Sequence, residues 1–137
     1  MLSAALAREL SAAGLGWTPA EGDRVLVPDG SDGERVVLLS SLVIEIQLMN
    51  GEPAICFHGT SEWALDYLMV SEALWLPSET QLRGAIEGLA PRAALSLSRS
   101  ADGVRYVCAV GVRRGELAST AEDAYALALL ILLAERG

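Results

Sequence analysis

The 137-residue sequence has no lysine, one histidine and little aromatic content. Without lysine it cannot form the glycine-rich phosphate-binding loop of nucleotide hydrolases, because that loop ends in a lysine. A lone histidine also lacks the histidine-rich pattern of protein metal sites. The sequence therefore predicts no cofactor, no bound metal and no catalytic motif of a recognisable kind.

Positive charge is scarce as well. Ten arginines stand against 18 acidic residues, the net charge is −8, and no basic cluster offsets this excess. Nucleic acid is therefore excluded as a partner, since phosphate binding needs a basic face. The longest apolar run, residues 124–134, is shorter than the roughly 20 residues that span a bilayer, so no membrane association is predicted.

The chain has two cysteines, Cys56 and Cys108, and each lies in an apolar, strand-like run. The sequence shows no secretory leader, so we expect a cytoplasmic location in which both cysteines are buried, reduced thiols. The length is that of one domain, and 52% hydrophobic residues suffice for a core. We therefore predict a single α+β domain over residues 1–137.

Helix-starting patterns occur near both ends and in the middle of the chain. Ser3 is placed to cap a first helix through Ala13. A capping box, a serine followed three residues later by glutamine or glutamate, occurs at Ser78 and again at Ser119. A further short helix is predicted over residues 61–68. The helix after Ser119 runs to about Arg136, where a cation suits its negative end.

Strand patterns fill most of the remaining chain. They cover residues 24–28, 35–40, 43–49, 54–58, 74–77, 93–99 and 104–112. Asn50–Gly51 is a strong hairpin signal, because both residues tolerate a positive φ. The element order predicts one antiparallel sheet of about five to six strands with N-terminal, central and C-terminal helices packed on it. Whether residues 35–49 form one strand or two is left open.

The body of the last helix is apolar on every side. A sheet buries only one stripe of such a helix, so Leu127, Leu130 and Ile131 are predicted to form a homodimer interface. The competing interpretation is that Leu6 and Leu10 of the first helix cover the same stripe.

A second candidate site surrounds the lone histidine. Glu62 and Asp66 fall on one face of the predicted helix that follows His58, and together they could bind a ligand or move a proton. Trp17, Trp63 and Trp75 lie beside turns and helix ends, where they either line a ligand or partner groove or close the ends of the core. For His58 the favoured interpretation is a hydrogen-bonded structural residue.

Nearly the whole chain resembles a family of short, uncharacterised bacterial proteins with relatives encoded by phages. The resemblance lies in GLGWTPAEGDR (14–24), FHGTSEWALD (57–66), LWLPSETQLRGAIEG (74–88) and STAEDAYALALLILL (119–133). Some members are labelled pilus-assembly protein (CpaE), but the ATPase of that name needs the lysine-ending loop that this chain lacks. His58 stands where the family pattern has asparagine. The resemblance therefore does not imply the ATPase activity of the proteins with that label.

The element order is also similar to that of the small, acidic, dimeric chaperones of type III secretion, which bind extended client segments. Three functions follow. The favoured one is a non-enzymatic, cytoplasmic interaction module that binds itself and an unidentified protein. The alternatives are an acidic, chaperone-like binder of a basic partner, and an enzyme or small-ligand binder around His58, Glu62 and Asp66.

Replacing His58 with asparagine tests the last alternative. We expect His58→Asn to leave the thermal unfolding temperature and partner binding unchanged, because the asparagine amide can supply the same hydrogen bond. Elemental analysis of both purified proteins checks this. Stoichiometric metal in the parent protein that disappears in the variant would instead favour the ligand-binding hypothesis.

Overall fold

The computed structural model describes residues 1–29, 33–39, 44–57 and 67–136. In these residues the chain forms three α-helices and nine β-strands, which confirms the predicted α+β class. Backbone contacts divide the chain into two compact units, here called the helical unit (Met1–Gly16 and Leu76–Gly137) and the strand unit (Trp17–Trp75). A single domain over residues 1–137 stays a prediction.

The strand unit contains two three-stranded sheets, ordered β2-β1-β6 and β3-β4-β5. The strands are β1 (Arg24–Asp29), β2 (Gly33–Leu38), β3 (Ile44–Met49), β4 (Glu52–Phe57), β5 (Tyr67–Met69) and β6 (Leu74–Leu76), the last of which ends on the first residue of the helical unit. β1 pairs antiparallel with β2, and β4 pairs antiparallel with both of its neighbours. The predicted turn between β3 and β4 is confirmed, with φ of 56° at Asn50 and 83° at Gly51.

The core of the strand unit follows the two-residue period of its strands. Alternate residues of β1, of β2 and of the position just after β2 are buried together with one residue of β4. They are Val25, Val27, Val37, Leu39 and Ile55. Trp17, Val70 and Ala73 pack against this cluster. On β2 the intervening Val36 and Leu38 are exposed. Successive side chains of a strand point to opposite faces, so only one face of the β1–β2 hairpin lies on this core.

One prediction for the strand unit needs correction, and one open alternative is decided. The helix predicted over residues 61–68 falls mostly outside the described residues, but its end is wrong, because Tyr67 and Leu68 belong to β5 and pair with Cys56 and Ile55. Backbone pairing with β4 here overrides a local helical pattern. The described residues of the range 35–49 belong to two strands, since β2 and β3 lie in different sheets.

The helical unit is built around its last helix. It contains α1 (Ala4–Ala12), α2 (Glu79–Leu89), α3 (Ala121–Arg136) and the sheet β7-β8-β9, whose strands are Leu95–Arg99, Tyr106–Val110 and Arg113–Arg114. Both pairings in this sheet are antiparallel. α1, α2 and β8 all pack on α3. Their apolar side chains, such as Leu10, Leu82, Ile86 and Val110, are almost completely buried.

The helix caps agree with the sequence in two cases and differ in the third. The Ser3 side chain accepts a hydrogen bond from the backbone of Leu6, and Ser78 forms the full capping box with Gln81. For α3 the predicted cap at Ser119 is one residue too early, because Thr120 Oγ1 accepts the backbone N–H of Asp123 at 3.1 Å. A tertiary contact of Asp123 accompanies this shift.

Two charged residues of α3 hold α1 beside it in a parallel orientation. Asp123 Oδ1 accepts a hydrogen bond from the backbone nitrogen of Ser3 at 2.9 Å, at the start of both helices. At their other end Arg136 Nη2 donates to the carbonyl oxygen of Gly14 at 3.2 Å. Because helix dipoles are positive at the N-terminus, a carboxylate at two N-termini and a guanidinium at two C-termini offset the repulsion between parallel dipoles.

The number of strands per sheet also differs from the prediction. In the described residues no sheet has five or six strands, since each of the three sheets has three. Hairpins are specified locally by turn residues and alternation, which the sequence displays. The joining of one hairpin edge to another depends on long-range packing, and local patterns do not contain that information.

Cys108 is a buried thiol of the helical unit. It lies on β8, is fully buried, and burial raises the pKa of its thiol to about 11. The side chain of Cys56 lies outside the described part of the chain, so its burial stays a prediction.

We expect Cys108 to resist alkylation in the native protein, because the thiolate is the reactive species and is nearly absent at pH 8. Iodoacetamide labelling followed by peptide mass mapping, in native buffer and in urea, measures this. Labelling of Cys108 at the same rate in both conditions would contradict its burial in the folded chain.

Candidate functional site

The side chains of α3 fall into two classes of exposure. Those that face α1, α2 and the sheet are buried, and they include Ala124, Tyr125, Ala128, Leu129, Leu132 and Leu133. By contrast Leu127, Leu130 and Ile131 are only half-buried, and Ala134 is exposed. These four positions are three, four and seven residues apart and therefore lie on one side of the helix. We call them the α3 stripe.

The first helix does not close the α3 stripe. α1 packs on α3 and its Leu10 is 1% exposed, so α1 buries one face of α3. Leu127, Leu130 and Ile131 nevertheless remain half-buried in the chain as described. Intramolecular cover by Leu6 and Leu10 thus leaves a further apolar face of α3 in contact with water.

A depression of about 360 Å³ lies over this face. The α3 stripe residues Leu127, Leu130 and Ile131 line one side of it, and Arg114 and Glu116 line the other. The last two belong to the segment that follows β8, residues 113–118, which we call the edge segment. The depression therefore has an apolar floor on the helix and a charged rim on the edge of the sheet.

Backbone contacts place the edge segment directly against α3. The backbone nitrogen of Gly115 donates to the carbonyl of Cys108 at 2.9 Å, and Tyr106 and Ala118 exchange two backbone hydrogen bonds. A Cβ atom added at Gly115 would lie 3.3 Å from the backbone nitrogen of Ala128. Glycine permits this close approach, because any side chain would push the segment away from the helix.

The two neighbouring arginines of β9 have different surroundings. Arg113 Nε donates to Glu135 Oε1 at 2.8 Å, and this contact, together with the charge of Glu135, raises the pKa of the guanidinium. Arg114 and Glu116 are exposed, and in the described part of the chain neither side chain forms a hydrogen bond or an ion pair. The rim thus carries one cation and one anion that are both available to a partner.

The two described tryptophans of the candidate set meet in the strand unit. Trp17 and Trp75 stack with ring centroids 6.1 Å apart and an angle of 12° between their planes. Trp17 Nε1 donates to Asp23 Oδ2 at 2.8 Å, and the backbone nitrogen of Ala20 donates to the same oxygen. Asp23 is 3% exposed, so this carboxylate is held inside the protein by donors from the loop that precedes β1.

The other four candidate residues, His58, Glu62, Trp63 and Asp66, lie outside the described residues. Within the described ranges no group of three His, Cys, Asp or Glu residues is arranged to hold a metal ion. A ligand site around His58 therefore stays a prediction. None of the helices in the described part of the chain has the length and hydrophobicity that a bilayer crossing requires.

The apolar pattern of the sequence singles out Leu127, Leu130 and Ile131 of the α3 stripe, but it predicts neither Ala134 nor the rim residues Arg114 and Glu116. Only Gly115 carries a signal, since a glycine between a strand and a helix indicates a close backbone approach. The pairing of Gly115 with Ala128 joins residues far apart in sequence, so local patterns could not show which charges border the stripe.

No protein-family model, curated protein or solved structure matches this chain. Both the resemblance to short bacterial and phage-related proteins and the similarity to secretion chaperones consequently stay predictions. The physical properties of the described surface therefore carry the functional argument.

The tryptophan pair offers a matched test of the Asp23 contact. Both Trp17→Phe and Trp75→Phe keep an aromatic ring in the stack and remove similar volume. Only the first removes a hydrogen bond, because Trp75 Nε1 is buried without a partner in the described residues. We expect Trp17→Phe to lower the free energy of unfolding by about 1–2 kcal/mol more than Trp75→Phe. Urea denaturation measures both, and equal losses would show that the bond to Asp23 contributes nothing.

Proposed function

We propose that this chain is a cytoplasmic protein-interaction module that acts without catalysis and binds a second protein surface through the α3 stripe. The observation that supports it is the half-buried state of Leu127, Leu130 and Ile131 beside a depression of about 360 Å³. These three large apolar side chains form one contiguous face with a charged rim, and apolar patches rimmed by polar residues are typical of interaction sites.

The residues around the depression favour protein association over catalysis at the α3 stripe. Leucine and isoleucine line the floor of the depression, and the rim offers only an arginine and a glutamate. Hydrophobic burial drives most protein association, with charged groups at the periphery setting specificity. A partner that covers the stripe would remove from water the part of α3 that α1, α2 and the sheet leave exposed.

A second candidate function, an acidic chaperone-like binder, has its support in the charge of the chain. The excess of 18 acidic over 10 basic residues gives −8, which would attract a basic client at long range. In that case the binding surface would be acidic. Charge reversal on the rim of the α3 depression would then change client binding only weakly.

Self-association through the α3 stripe can be measured on the purified chain alone. We expect light scattering to give a mass that rises toward twice 14.5 kDa as the concentration is increased to several hundred micromolar. Leu130→Glu should reduce it to the mass of one chain, because a carboxylate cannot be buried unpaired in an apolar contact. Ala134→Glu should do the same, and since Ala134 is exposed, this variant does not disturb the core.

Val104→Glu is the matched control. Val104 is also a large exposed apolar residue, at 62%, but it lies in the turn between β7 and β8 and outside the depression. It should remain a dimer with the same circular dichroism spectrum as the parent. Loss of the dimer in this control, or a mass near 14.5 kDa for the parent chain, would reject the α3 stripe as a self-association surface.

A further inference from the structure

We infer that the α3 depression receives a second copy of this chain in a two-fold arrangement, with Arg114 of each copy paired to Glu116 of the other. The inference rests on the proposed function and specifies its partner and geometry. It starts from the rim, where one exposed cation and one exposed anion, neither paired in the described part of the chain, border a single apolar stripe.

The charge pattern of the rim fits a second copy better than it fits an oppositely charged client. The chain as a whole carries −8, but the rim of the depression carries one positive and one negative side chain. A basic partner would gain no net attraction from such a rim. A surface with one charge of each sign is complementary to itself when it is rotated by a half-turn, because residue i then meets residue j twice.

The α3 stripe is also complementary to itself when it is rotated by a half-turn. Its residues are Leu127, Leu130, Ile131 and Ala134, in the spacing of one helix face. An antiparallel contact with the axis between Leu130 and Ile131 places Leu127 against Ala134 of the second copy and Leu130 against its Ile131. Large residues then meet small ones at both ends, which is how closely packed helices interdigitate.

The rim lies beside the stripe. Gly115 lies against Ala128, so the middle of the edge segment is level with the Leu127 half of the α3 stripe. A two-fold axis that passes between the two α3 helices, perpendicular to both, keeps the two edge segments on the same side of the paired helices. The half-turn reverses the direction of the second edge segment, so that Arg114 of each copy lies toward Glu116 of the other.

The size of the surface sets the expected affinity. Four stripe residues and two rim charges are far fewer than the roughly 20–30 residues that each side of a stable interface contributes. The dimer should therefore dissociate in the micromolar range, where dilution experiments resolve changes of a few-fold. Ionic strength is held near 0.15 M, because rim charges are screened at higher salt.

Charge-reversal variants test the pairing. Arg114→Glu places two glutamates opposite each other at both contacts, and Glu116→Arg places two arginines there. Each single variant should dimerise about tenfold more weakly than the parent in sedimentation velocity. An equimolar mixture of the two should form a heterodimer with near-parental affinity, since every contact is then between opposite charges. The double variant should recover as a homodimer for the same reason.

Matched controls carry the same charge changes elsewhere in the helical unit. Arg92→Glu and Glu87→Arg alter exposed residues that do not line the depression, and they should dimerise like the parent. If these controls weaken the dimer as much as the rim variants do, the effect is one of net charge and the pairing is overturned.

The remaining outcomes separate this inference from the proposed function. Rim variants that dimerise like the parent, while Leu130→Glu is monomeric, would overturn the Arg114–Glu116 pairing and leave the α3 stripe as the interface. A parent chain that stays monomeric up to several hundred micromolar would overturn the second copy as occupant. Recovery of the heterodimer from two weakened single variants supports the two-fold arrangement, because no other partner is present.

Discussion

The removal of one fully apolar helix from water is the constraint on which the helical unit depends. A fully buried leucine contributes about 1.5–3 kcal/mol, and the body of α3 has apolar residues all around its circumference. A single sheet or helix can cover only one side of α3. In the helical unit, α1, α2 and β8 therefore all pack on it. The one face that these elements leave half-buried is the α3 stripe, and the proposed function follows from that remainder.

The polar contacts of the helical unit act at the ends of its helices. Asp123 and Arg136 each serve two helix termini, and Arg113 ties the short strand β9 to Glu135 near the end of α3. Apolar packing has no direction of its own, so these contacts decide how α1 and β9 are oriented on α3. Because β9 is held in this way, the edge segment borders the α3 stripe and its charges become the rim of the depression.

In the strand unit the buried carboxylate of Asp23 likewise fixes the orientation of a loop. Asp23 receives the indole N–H of Trp17 and a backbone N–H, while its own backbone pairs with Leu39. The loop before β1 is thereby fastened to the end of β2, and Trp17 is brought onto Trp75. Trp17 and Asp23 of this loop are thus held by packing and hydrogen bonding within the strand unit.

Local chemistry was sufficient to predict α1, α2, the Asn50–Gly51 turn and the half-exposed positions of α3, since caps, positive φ and helical periodicity depend on residues a few positions apart. Tertiary structure alone decided the rest: β5 where a helix was expected and, in the described residues, three three-stranded sheets in place of one larger sheet. It also decided that Gly115 lies on Ala128 and carries Arg114 and Glu116 to the α3 stripe. Each of these depends on groups distant in sequence, whose meeting is determined by which arrangement buries the most apolar surface with its polar groups satisfied.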